Sequence, residues 1–160
     1  MSETIYGEVD SVDFAIYLNN KANELGLSAN VTQIQKWLYI CYGLYLAAYD
    51  RQLLTERPKA WNYGPAFPRV HKKQKKNNDS LNYLETRINS ENTNAEDFAK
   101  YEAVVNTTLK HFGDWTAGEL VTWTHEPGTA WDKKFKGDDM YSNMDNHDII
   151  MDFKKLLHEY

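Results

Sequence analysis

The chain has 160 residues, a formal net charge of -5 and one cysteine, Cys41. That length suits one domain with a single core. The lone thiol excludes a disulfide framework and a cysteine-type zinc site and points to a reducing compartment, while the acidic balance argues against general nucleic-acid binding, which relies on cationic surface to displace counterions.

Met1 to Glu8 are mostly polar and expected to fray. From Asp10 or Ser11 the spacing predicts a helix, with Val12, Ala15, Ile16, Ala22 and Leu25 recurring every three or four residues and Gly26 as the stop. The next stretch, Thr32 to Tyr49, is the one around which the chain is organised. Apart from Lys36 and Gly43 it is apolar or aromatic from Ile34 onward, and a helix without a polar face has to be wrapped by others. Thr32 and Gln35 stand at capping-box spacing and mark its start, giving roughly 17 residues and about 25 Å of helix. A membrane span needs about 20 apolar residues, and the lysine and glutamines of the first turns favour a buried core helix instead. Within it Cys41 reads as a structural thiol, since reactive thiols need electropositive, partly exposed surroundings. Gly43, costly in mid-helix, reads as a point of close approach for another element.

Three of the four prolines follow. Leu53-Leu54 and Lys59 to Asn62 are short extended candidates separated by a turn at Glu56-Arg57-Pro58, which together make a small two-stranded ribbon. Tyr63-Gly64-Pro65 is a further turn, and Pro68 suits the first turn of a new helix. That helix, Pro68 to Lys76, carries Arg69, Lys72, Lys73, Lys75 and Lys76. Its cations offset the helix dipole as a solvated end, form a docking strip for an acidic partner, or meet RNA or DNA, against which the acidity of the rest of the chain stands.

Asn77 to Glu96 reads as a loop, the most mobile region, around one weak amphipathic turn from Leu81 to Ile88. Ala95 to His111 resumes helical spacing and ends at Gly113. Thr116 with Glu119 forms a second capping box, opening a helix with Leu120, Val121 and Trp123 on its apolar side that stops at His125-Glu126-Pro127-Gly128. Trp131 and Phe135 lie on a short helical piece. A turn rich in Lys, Gly and Asp then leads to Asp145 or Asn146, either of which caps a last helix bearing Ile149, Ile150, Phe153, Leu156 and Leu157. The expected fold is mainly α: residues 1–160 form a single-domain helical bundle around a buried central helix, with one short two-stranded β-ribbon.

The common catalytic spacings are missing: no Gly-x-Gly-x-x-Gly, no Walker lysine loop, no Gly-x-Ser-x-Gly. His125-Glu126 starts like a metalloprotease signature, but Thr129 stands where the second histidine belongs. No two of the five histidines are four residues apart, so no catalytic residue, metal or cofactor is assigned. His125 reads either as a helix-end imidazole resting on a carbonyl or a tryptophan, or as a site residue beside Trp123 and Trp131. Trp61, Tyr63, Pro65 and Phe67 read either as a satellite core under a loop or as exposed anchors for a partner.

The run KWLYICYGLYLAAYDRQLLTERPKAWNYGPAFPRVHKK, a buried aromatic helix, a ribbon and a Trp-x-Tyr-Gly-Pro turn, resembles the SocA-like or Panacea antitoxin domain, which includes the GepA type of phage-associated protein. Leu120-Val121-Thr122-Trp123-Thr124-His125-Glu126 with Ala130-Trp131-Asp132 resembles that family's second signature, although Ala130 stands where Pro or a similarly restricted residue is expected. The resemblance spans Val9 to Phe135. It implies a compact, mostly helical domain without catalysis, whose members neutralise protein toxins, notably small alarmone-synthetase-like enzymes, by direct contact. The SocA member instead delivers its toxin to the ClpXP protease.

Carried onto this sequence, the resemblance implies a cytoplasmic antitoxin-type binding protein whose partner is a cognate toxin. Nucleic acid and membrane are not expected as partners. The candidate partner-binding residues are Trp61, Tyr63, Pro65, Phe67, Arg69, Lys72, Lys73, His125 and Trp131. The alternatives are a proteolytic adaptor for a ClpXP-type protease and an unrecognised enzyme or metal site around His125.

Overall fold

The computed structural model describes residues 9–136 and 141–159. The expected frayed N-terminus at 1–8, and most of the Lys, Gly and Asp turn before the last helix, lie outside those residues. Seven helices and one hairpin are described: α1 Ser11–Glu24, α2 Val31–Tyr49, β1 Lys59–Trp61, β2 Gly64–Ala66, α3 Pro68–Lys76, α4 Ala95–Phe112, α5 Ala117–Thr124, α6 Ala130–Lys136 and α7 Asn146–Glu159. The chain is therefore mainly α, with α2 in the middle touching α1, α3, α4, α5, α7 and β2.

The centrality of α2 follows from its composition. Every residue from Ile34 to Leu46 is buried, so the helix is surrounded on all sides over these turns. Gly43 does what mid-helix glycine suggested: the Phe153 ring of α7 fills the space a Cβ there would take. Cys41 donates to the Thr108 hydroxyl of α4 at 3.3 Å, and burial pushes its thiol up to about 12. The thiol is inert packing.

Two local expectations are corrected. The start of α2 is capped by Asn30, whose Oδ1 accepts from the Gln33 N–H at 2.8 Å while the Gln33 side chain returns a bond to the Asn30 N–H at 3.0 Å, so the box lies two residues before Thr32 and Gln35. Asparagine outranks threonine as a cap, and starting there lets Val31 and Thr32 join the helix. The ribbon is also differently built. Lys59–Trp61 pairs with Gly64–Ala66, not with Leu53-Leu54, in the register Lys59 to Ala66, Ala60 to Pro65 and Trp61 to Gly64. A two-residue loop, Asn62-Tyr63, closes a hairpin at lower entropic cost than the longer alternative. Leu53 and Leu54 are buried instead, and Leu54 makes a parallel bridge to Val9.

The stretch between α3 and α4 is a loop, and its Leu81 to Ile88 part is not helical. Asparagines pin it to α1: the Asn82 Oδ1 accepts from both Asn19 and Asn23 at 2.9 Å. The Arg87 guanidinium meets the Asp13 carboxylate at 2.7 Å. Leu81 and Ile88 are buried by the same docking. The remaining caps lie where their residues suggested, with Thr116 and Glu119 forming a reciprocal box at α5 and the Asp145 carboxylate accepting from His147 and Asp148 N–H at the start of α7.

Candidate functional site

The two sequence motifs meet in space. The hairpin β1–β2 lies across the first turns of α2, and the elbow from α5 to α6 closes against it. The Trp131 indole N–H donates to the Trp61 carbonyl at 2.7 Å, tying the second motif to the first. Trp131 is itself the middle of an aromatic stack, with the His125 ring 4.0 Å away at 18° and Phe135 4.7 Å away at 20°. On the other side Trp61 meets His71 of α3 edge-on at 5.3 Å and Tyr141 at 6.3 Å.

Underneath the hairpin turn is a buried cation. Lys36, 3% exposed, leaves α2 and donates from Nζ to the Pro65 carbonyl at 3.1 Å. Gly64 is needed directly above it for two reasons. Its φ of +107° is open to glycine and strained for other residues, and a Cβ there would come within 2.8 Å of the Thr124 hydroxyl and 2.9 Å of Lys36 Cε. No carboxylate within 4 Å pairs with Lys36 among the described residues, and burial lowers its ammonium to about 8. His125 is held below its ordinary value too, first by burial and then by the Lys36 charge. Its Nε2 is buried without a hydrogen-bond partner among the described residues. The histidine is thus a neutral, stacked imidazole rather than a second cation, which fits a ring resting on a tryptophan.

Gln35, next to Lys36, locks the exit of the hairpin. Its Oε1 accepts the Phe67 N–H at 2.7 Å, and its Nε2 donates to the Phe67 carbonyl at 3.3 Å and to Gln74 of α3 at 3.2 Å. The start of α3 is therefore fixed by a buried amide of α2. Sequence reasoning missed both Gln35 and Lys36 as site residues. The signal was present, because polar side chains inside an otherwise apolar helix require buried partners.

The candidate residues separate into two groups. Pro65, Phe67 and Trp131 are buried and hold the turn, the hairpin exit and the elbow in place. Their side chains pack within the chain's own fold. Tyr63 projects from the hairpin tip at 76% exposure. Arg69 and Lys72 are exposed, and Trp61, Lys73 and His125 are half-buried. Arg69 is partly occupied, since its guanidinium pairs with Asp10 at 2.8 Å and its N–H donates to Glu56 at 2.8 Å. Lys75 pairs with Asp79 at 2.9 Å. Lys72, Lys73 and Lys76 form no ion pair among the described residues.

Among those residues no three His, Cys, Asp or Glu side chains gather as a metal site, and no helix is long and apolar enough to cross a membrane. The arrangement is a helical bundle that clamps a β-hairpin over a buried lysine and offers the hairpin tip and the adjoining helix to its surroundings. The chain belongs to the antitoxin SocA-like, Panacea domain family, whose model matches residues 34–132, from the first turns of α2 to Asp132 in α6. Both motifs lie inside that match, and the family carries with it an antitoxin role and a protein toxin as partner. No curated protein and no solved structure matches the chain.

Proposed function

We propose that the chain neutralises a cognate protein toxin by binding it directly, without turnover, through the hairpin tip and the solvent side of α3. The observation that carries this reading is the convergence of the two family motifs on one rigid clamp. A tyrosine at the tip of a clamped hairpin is an anchor held in place before the partner arrives, which lowers the ordering cost of association. Lys72 and Lys73 on α3 form no ion pair among the described residues and can steer an acidic partner, raising its association rate. The toxin is a bacterial enzyme, such as a small alarmone-synthetase-like protein, and the complex forms in the cytoplasm.

The test is co-expression with the toxin encoded beside this chain. Growth should be restored, and Tyr63→Ala combined with Lys72→Glu and Lys73→Glu should remove the protection while the variant stays folded. Persistent toxicity with every neighbouring toxin would count against the reading. Toxin abundance separates direct inhibition from delivery to a ClpXP-type protease. Inhibition leaves the amount steady, whereas an adaptor makes it fall when the protease is present.

A further inference from the structure

Among the described residues, five other than glycine hold a positive φ: Asp50, Asn78, Asp79, Tyr83 and Tyr141. Asp and Asn tolerate this backbone, whereas a bulky side chain there is an outlier that costs free energy. The two tyrosines are therefore the exceptions, and they differ. The Tyr141 ring rests edge-on against Trp61 at 6.3 Å, so the chain's own packing uses it. Tyr83 stands fully in solvent, at 102% exposure, with a φ of +66°. Its ring returns nothing to the fold.

The surrounding turn fixes that conformation. Leu81 is buried before it, and Leu84 packs half-buried after it. The Asn82 bonds to Asn19 and Asn23 tie the turn to α1, and the Asn77 side chain donates to the Ser80 carbonyl at 2.9 Å and to the Asn82 carbonyl at 3.3 Å. The Asn77 and Asp79 N–H groups donate to the Gln74 carbonyl at 3.1 and 2.8 Å, so the turn is bonded directly to the last turn of α3. Its acids are Asp79, which is spent on Lys75, and Glu85 at its far end. Lys76 is exposed and, like Lys72 and Lys73, has no ion pair among the described residues. The result is a phenol ring held in water at the end of a cationic helix. Aromatic side chains fixed in advance serve protein interfaces as anchors, because they have little freedom left to lose on binding, and unpaired lysines on the joined helix complement an acidic face.

We propose that Tyr83 is a second anchor for the toxin, entering an apolar recess on an acidic face that also covers the outer side of α3. This rests on the reading that the chain binds a protein toxin through the hairpin tip and α3. The test is titration of the toxin encoded beside this chain into the full-length protein and its variants, with Tm measured on each. Asparagine adopts the left-handed backbone readily, so Tyr83→Asn should keep or raise Tm while weakening the complex at least about tenfold. Tyr83→Phe keeps the ring and should bind as wild type does. Lys76→Glu should slow association about threefold. A lower Tm in Tyr83→Asn would show that the ring serves the fold and overturns the anchor. A Tyr83→Phe variant as weak as Tyr83→Asn, or unaltered association in Lys76→Glu, overturns the apolar recess on an acidic face. A dimer of the chain that Tyr83→Asn dissolves overturns it by giving the ring to a second copy. If wild type binds the toxin and Tyr83→Asn binds it equally well, the anchor fails and the proposed function stands on Tyr63 and α3; if wild type binds no neighbouring toxin, both fail.

Discussion

The underside of the hairpin and the outer face of α3 both present lysine, and the molecule uses the residue in opposite ways. Lys36 is buried, bound to one carbonyl and lowered to about 8. Lys72 is exposed and Lys73 half-buried, and neither is ion-paired among the described residues. Charge density along the chain points to α3, yet the cation around which the fold is arranged is the isolated one in α2. A run of lysines in sequence reports surface; a single lysine inside an apolar run reports a buried site that has to be satisfied.

This contrast predicts large stability effects and specific pH effects on the inner side, and small stability effects with large binding effects on the outer side. The harshest test is Gly43→Val, which forces Phe153 out of its seat on α2. Overpacking there should cost at least about 3 kcal/mol in chemical denaturation and lower Tm by about 10 °C. A loss below about 1 kcal/mol would mean that α7 is not held where it lies.

Lys36→Met sharpens the comparison through pH. Burial lowers the folded-state value of Lys36 to about 8 from its ordinary 10.5, so between those values the unfolded chain binds a proton that the folded chain does not. Stability from this group is therefore fully present above the unfolded value and is lost as pH falls toward 8. Wild type should gain about 3 kcal/mol on the methionine variant as pH rises across that window. Comparing the two proteins cancels the opposite trend from Cys41, whose thiol is raised. A constant difference between pH 8 and pH 10.5 would mean that Lys36 is well solvated.

Trp131→Phe comes next. It removes the indole N–H from the Trp61 carbonyl and should cost about 2 kcal/mol, with a larger loss in toxin binding because the hairpin tip is no longer braced. The smallest stability effect belongs to Lys72→Glu with Lys73→Glu, which should stay within about 0.5 kcal/mol of wild type while slowing association with an acidic toxin about tenfold. A destabilised double variant would show that these lysines belong to the inner region after all.

Residue types alone made much of the architecture legible. The all-round apolar α2, the periodic α1, α4 and α7, the Thr116 box and the proline opening α3 depend on contacts within a few residues, and those the sequence displays. The hairpin pairing is not legible because short extended segments carry no information about which neighbour they bond; Leu53-Leu54 and Gly64–Ala66 are both available, and burial of the leucines against the core decides between them. The candidate surface was only half legible for the same reason. Phe67 and Tyr63 are both aromatic in one proline-rich stretch, yet one is 0% and the other 76% exposed.

The sequence by itself determined that this chain is a helical domain of the Panacea family built on an aromatic central helix, because helical periodicity and motif order are local properties. Only the tertiary structure decided that Trp131 locks onto Trp61, that Lys36 lies beneath Gly64, and that Asp152 of α7 accepts from the Ala130 N–H at the start of α6. Each of these joins residues distant along the chain. Such pairings are set by which faces can be buried together once the helices pack, a global condition that no short stretch encodes.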